Sequence, residues 1–192
     1  MPPSKFGDLT TAEELRSCLA WELMPTISGM REALLCQNLA SGSGRPFALQ
    51  LKLDTGMARL GADWQGGPRL VAAIRDLDAV HLVGVYSHLA DADAPGQDED
   101  PLTRQQRQSF EQVLEALRQQ ELDPGCRHLA NSAGTLRTAQ LHYDMVRVGL
   151  ALYGQRPAPH LGGSLVLQPA MQVQAPSRVS LASSFPSVCD HH

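Results

Sequence analysis

Lysine is almost missing from this chain: Lys5 and Lys52 are the only two in 192 residues. Acidic residues outnumber basic ones, 20 to 16, for a formal net charge of −4 and a pI near 5.9. That balance excludes the basic footprint of a protein that binds nucleic acid or an anionic membrane. Long apolar runs are missing too, and none approaches the roughly 20 residues of a membrane-spanning helix. The start, "MPPSKFGDLT", lacks the charged-then-apolar profile of a signal peptide, which implies a cytoplasmic protein. Cys18, Cys36, Cys126 and Cys189 are widely spaced with no CxxC pair, so free thiols are expected, with neither a disulfide nor a zinc site. Cys189 with His191 and His192 offers at most a stray metal contact in a terminal tail. There is no GxGxxG, Walker A, HExxH or GxSxG, which removes the commonest dinucleotide, P-loop, zinc-protease and serine-hydrolase signatures.

What is present is ordinary globular material, 43% hydrophobic and 19% charged, long enough for a domain with a real core. Thr10 and Thr11 cap a helix expected over 10–20, with glutamates in its first turn. Residues 22–27 read as a short buried strand, and 28–40 as a helix with Ser28 at its N-cap. The stretch 41–46 is a loop by composition, 47–53 a strand, and 67–78 an amphipathic helix. A strand over 80–88 leads into an acidic loop, 89–101. The clearest helix follows at 102–120, with Phe110, Val113, Leu114 and Leu117 on one face. Strands are also expected near 126–130 and 144–149, with a short helix over 132–139 between them. Strand and helix alternate through about five βα units, which argues for an α/β fold with a parallel sheet. Residues 1–155 form that unit. Residues 156–192 read as linker, one strand, and a tail from 176 that is either frayed or non-native.

In parallel βα folds the functional groups gather at the carboxyl ends of strands. Four successive strand ends carry unusual polar residues here. In "LKLDTGMARLG" these are Lys52, Asp54, Thr55 and Arg59; the next three ends give Tyr86, Ser87 and His88, then Asn131 and Ser132, then Arg147 and Gly149. Each also has a plain structural reading. Lys52 alternates with Leu51 and Leu53, so it is either solvated or turned into a crowded interior, where a cation needs a partner. Asp54 suits a loop cap, His88 a structural histidine, Asn131 and Ser132 a helix cap, and Arg147 a surface ion pair. The acidic residues Asp91, Asp93, Asp98, Glu99 and Asp100 lack calcium-loop spacing. Taken together, the set is rich in anion handles: two arginines, a serine beside backbone amides near Gly134, and a glycine that permits close approach. A small phosphorylated anion is the ligand class this suggests.

The ordered motifs "LKLDTGMARLG", "GVYSHLADAD", "HLANSAG" and "DMVRVGLALYG" resemble the alanine racemases that use pyridoxal 5′-phosphate, over residues 10 to 155 with a weaker tail to about 175. The resemblance implies a (β/α)8 barrel, here partial, followed by the start of a β-domain, a homodimer, alanine as substrate, and D-alanine for cell-wall precursors. It implies that His88 lies beside the pyridine ring and that Asn131 and Ser132 line the cofactor pocket, Ser132 on the phosphate. Gly149 and Leu150 would offer amides to the same phosphate, and Arg147 would donate to the pyridine nitrogen. Arg59 would face the substrate carboxylate, held by Lys52, which is carbamylated in some members; Asp54 opens the loop between them. The family's Schiff-base lysine, in a motif like "KANAYGHG", and its opposing tyrosine have no match, so a fragment inactive on its own is expected. Two other readings remain: a non-catalytic pyridoxal-phosphate-binding barrel, and a vestigial module that pairs with a full-length racemase.

Overall fold

The computed structural model describes residues 11–96 and 99–170. Its elements are α1 (Ala12–Ala20), β1 (Thr26–Ile27), α2 (Met30–Ser43), β2 (Phe47–Asp54), β3 (Ala62–Asp63), α3 (Gly67–Arg75), β4 (Val80–Tyr86), α4 (Pro101–Gln119), β5 (Cys126–His128) and α5 (Ser132–Arg137). Strands β1, β2, β4 and β5 lie side by side in that order, all parallel, and β3 pairs with the end of β2. Chain order equals spatial order along this path, as expected of consecutive βα units.

The sheet has one apolar and one polar face, because side chains alternate along each strand. Leu49, Leu51 and Leu53 of β2, Val85 of β4 and Leu129 beyond β5 join Val71 and Ile74 of α3 and Phe110, Val113 and Leu117 of α4 in one buried cluster. Helix α4 carries this packing through Phe110, Val113 and Leu117, spaced as one helical face. Its start is set by Asp100, whose Oδ1 accepts from the Leu102 and Thr103 amides, with Pro101 in the first turn. Glu99 makes a two-bond fork with Arg107 at 3.0 Å each. Two members of the acidic run thus have structural work, and no carboxylate, histidine or cysteine cluster among the described residues suits a metal ion.

Several boundaries differ from the expectation. Thr11 does cap α1 and exchanges bonds with Glu14 in a reciprocal box, but α2 is capped by Gly29 in extended backbone instead of by Ser28. That helix runs on to Ser43 and stops at Gly44, which is left-handed at φ 68°. The first strand shrinks to two residues. The expected strand over 144–149 is not a strand: Met145 makes a single parallel bridge to His128. Asp144 is drawn onto Arg127, accepting from its amide at 2.8 Å and from Nε and Nη2 at 2.7 Å, and Tyr143 sits at φ 48°. The ladder therefore cannot extend backwards from the bridge. Cys18 and Cys36 are buried free thiols and Cys126 a half-buried one. Burial, with Cys18 beside it, pushes the Cys36 thiol up to about 12. Cys189 and the tail lie outside the described residues.

The loop from β2 to β3 turns back on Gly61, at φ 130°, where a Cβ would lie 2.7 Å from the Asp54 nitrogen and 2.8 Å from the Leu53 carbonyl carbon. Backbone strain and backbone collision coincide there, so Gly61→Ala is expected to cost about 2 kcal/mol. A urea titration that leaves the midpoint unchanged would disprove the tight return.

Candidate functional site

The polar face of the sheet builds the site. Parallel register aligns Lys52 with Tyr86 and Tyr86 with His128, and the bridge continues the row to Met145. Gln50 lies one step back on the same face, aligned with Thr26, and Arg147 one step on from Met145. All but Arg147 and Met145 are buried: His128 is fully enclosed and Lys52 is 7% exposed. Lys52 therefore turns into the interior. Gly84 makes the row tight, since a Cβ there would sit 2.7 Å from the Cys126 carbonyl oxygen.

Arg147 is half-buried at the ends of β4 and β5, not in a surface ion pair. Its Nη2 donates to the Ser87 carbonyl at 2.7 Å and the Leu129 carbonyl at 3.1 Å, and lies 3.4 Å from His88 Nδ1. Its Nη1 donates to His128 Nδ1. Because a guanidinium only donates, Nδ1 of His128 must accept. The ring proton is then on Nε2, which donates to Gln50 Oε1 at 2.9 Å. That bond fixes the neutral tautomer. Burial first, then the Arg147 charge, hold His128 down at about 3. Tyr86 stacks on His128 with centroids 4.5 Å apart, lies 4.9 Å from the Arg147 guanidinium carbon, and has its hydroxyl 3.0 Å from Thr26 Oγ1. Burial pulls Arg147 itself down to about 10, which leaves it charged at neutral pH. Its Nε–H has no protein acceptor among the described residues.

His88 is where the expected cations converge. Its pKa is lowered to about 4 by burial, then by Arg147, Lys52 and Arg59. Three of the four expected strand ends thus meet around one neutral imidazole. Arg59 is exposed, and its loop is held by Asp54, whose Oδ1 accepts from the Gly56 and Ala58 amides at 3.0 Å each.

The anion handles gather where α5 begins. Ser132 Oγ accepts from the Gly149 amide at 3.0 Å and from the Ala151 amide at 3.2 Å. With both acceptor positions used, the hydroxyl proton is left to donate outwards. The second amide on this oxygen is that of Ala151; Leu150 opens a single 3₁₀ turn, Leu150–Tyr153, and is exposed. Gly149 has nothing within 4 Å of where a Cβ would stand, so its approach side is open. Asn131 is the cap of α5: its Oδ1 accepts from the Gly134 amide at 2.9 Å, and its Nδ2 donates to the Leu89 carbonyl at 3.2 Å. The Gly134 amide, expected near the anion, is therefore engaged within the chain.

Gln50, His128 and Gln106 did not stand out in the sequence. The first two follow from the alternation that turned Lys52 inward, applied one step back and two strands across. Gln106 occupies an apolar position, spaced four, seven and eleven residues from Phe110, Val113 and Leu117.

The family model for the alanine racemase N-terminal domain matches residues 5–157. The alanine racemase of Prochlorococcus marinus is 45% identical over 184 residues, 95% of this chain and 47% of that protein. That of Synechocystis is 41% identical over 88% of this chain and 45% of its own length. Among solved structures, alanine racemase from the D-cycloserine producer Streptomyces lavendulae superimposes at a TM-score of 0.70 and 36% identity, over 77% of this chain and 39% of that one. The Clostridium difficile racemase in complex with cycloserine gives 0.79 at 23% identity, over 85% and 44%, a likeness of fold. The chain thus spans about half the length of the curated relatives it matches, and its parallel sheet is part of their barrel. With the match running through all four strand ends, the chain belongs to the alanine racemase N-terminal domain family.

Proposed function

We propose that this chain is the cofactor-holding part of an enzyme that interconverts L-alanine and D-alanine with pyridoxal 5′-phosphate. The observation that carries the reading is Arg147, a half-buried guanidinium fixed by two carbonyls and His128, with Nε–H uncommitted among the described residues, together with the Ser132–Gly149–Ala151 cluster.

These residues fit the cofactor. Ser132 would donate its hydroxyl proton to the phosphate, and the Gly149 and Ala151 amides stand ready to turn from the serine oxygen to the anion. Arg147 would donate to the pyridine nitrogen. A guanidinium does not give up its proton at neutral pH, so the ring nitrogen would stay unprotonated. The bound cofactor supplies an electron sink that acidifies the α-proton of an amino acid, and an unprotonated ring makes that sink a modest one, which suits racemisation. His88, neutral near pH 7, would present a ring face without adding charge. Arg59, exposed on the loop that Asp54 holds, would meet the substrate carboxylate, and Lys52 would support it. Asn131 contributes by fixing α5, and Leu150 would flank the phosphate.

The family's two proton-transfer groups, a lysine and a tyrosine, match none of the motifs here, so racemisation by the 192-residue chain alone is expected to be negligible. The homodimer, the cytoplasmic location and a boundary near residue 155 belong to the same proposal. Among the described residues no helix is long and apolar enough to cross a membrane.

The test has two arms. The purified chain should bind pyridoxal phosphate at least about tenfold tighter than pyridoxal, the gain expected from charge-assisted bonds to phosphate. Equal binding would overturn the cradle assignment. Incubation with L-alanine and the cofactor, read by chiral chromatography, should give no D-alanine above the protein-free rate. Production of D-alanine would mean that Lys5 or Lys52 serves as the missing lysine; if it is Lys52, Lys52 could not then be the partner of Arg59.

A further inference from the structure

We propose that Gln106 is a positioning residue that locks the His88 loop and the Thr55–Arg59 loop into one geometry. The functional meaning of that geometry rests on the cofactor reading above; the clamp itself does not.

Gln106 is fully buried on α4. Its amide is used at both ends. Nε2 donates to the His88 carbonyl at 2.9 Å and lies 3.4 Å from Thr55 Oγ1, and Oε1 accepts from the Ala90 amide at 2.8 Å. The side chain thus grips residues 88 and 90 from both sides, as a neighbouring strand would. Thr55 passes the contact on, its hydroxyl 2.8 Å from that of Ser87. The methylene of Gln106 also supports the second loop: a Cβ on Gly56 would come within 3.4 Å of its Cγ. Thr55 is 3% exposed and Ser87 1%, so water cannot replace these bonds.

A buried amide between apolar neighbours is costly unless every donor and acceptor is matched, and here they are. Phe110 continues the same helical face, and a leucine at 106 would continue it equally well. Simple packing does not call for glutamine. The three bonds all go to loops that carry site residues: His88 supplies the clamped carbonyl, and only Leu89 separates it from the clamped Ala90 amide. Arg147, Lys52 and Arg59 are the charged groups facing that ring, and burial lowers its pKa further than any of them.

The experiment is a histidine NMR titration of the full chain without cofactor, comparing wild type with Gln106→Leu, which keeps bulk and removes all three bonds. In wild type, His88 should stay neutral from pH 8 down to 5.5, as its value of about 4 requires. In the variant the loop is released, and His88 should titrate inside that range, its midpoint moving up towards the ordinary 6.5. His128, which Gln106 does not touch, should remain neutral in both. A merely structural glutamine would lower the melting temperature and leave the His88 midpoint where it was; that result overturns the proposal. If Gln106→Leu fails to fold, hydrogen exchange on wild type decides. Protection of the Ala90 amide supports the clamp, and exchange at the free-loop rate overturns it. Failure of wild type to bind pyridoxal phosphate would remove the cofactor reading while the titration still judged the clamp.

Discussion

Between pH 7 and pH 5 the folded chain is expected to lose about 4 kcal/mol of stability, about 2 kcal/mol for each of two histidines, one fully and one partly buried. His88 is held at about 4 and His128 at about 3, against an ordinary 6.5. Both folded values are depressed. Below 6.5 the unfolded chain binds protons that the folded chain refuses, so unfolding gains. The stability these groups contribute is fully present above 6.5 and lost as pH falls towards 4 for His88 and 3 for His128. Carboxylates add to the loss only further down; Asp144, held at about 2 by Arg127, begins to matter below its ordinary 3.8. Urea denaturation at pH 7.5 and 5 measures the effect. His128→Gln should remove about half of it, and an unchanged slope in that variant would show that His128 is not the proton site.

Ser132→Asp is expected to weaken pyridoxal phosphate binding at least about a hundredfold, the ~3 kcal/mol of a lost charge-assisted bond and a like-charge contact. The fold should tolerate the change, because the Gly149 and Ala151 amides that now bond the serine oxygen would bond a carboxylate equally well. That is also why the phosphate would be excluded: an internal anion would take its donors. Ser132→Ala, which removes one donor and adds no charge, should lose about tenfold. Pyridoxal, which lacks the phosphate, should bind wild type and both variants alike. Parallel losses for pyridoxal and its phosphate would place the effect on the pocket as a whole and overturn the cradle.

The alternating βα order, the long helix α4 and the placing of Lys52 on the face opposite Leu51 and Leu53 were legible because each rests on a period that packing enforces; whether that face met solvent or the interior was not. The shortness of β1 and the collapse of the expected last strand to one bridge were not. The second depends on a pairing across the fold, the grip of Arg127 on Asp144. The site divided in the same way. Residues at strand ends were visible from position alone. The tautomer of His128, the three contacts of Nη2 on Arg147, and the engagement of the Gly134 amide by Asn131 are consequences of geometry across β4, β5 and α5. Gln106 could have been found by asking why a glutamine stands in an apolar register.

The bonds across the polar face also act as a lock on strand alignment. A one-residue slip of β2 against its neighbours would carry Leu51 and Leu53 to the side where His128 and Arg147 lie, and would take Gln50 and Lys52 to the helix side. The Nε2 proton of His128 would lose its acceptor, and the slipped leucines would leave the apolar cluster. Apolar packing alone would tolerate a shift by two, since leucine recurs at 49, 51 and 53. The Gln50–His128 bond would not, because it requires one partner at one height. The same side chains that line the polar face thus decide which of several equally greasy alignments the sheet adopts.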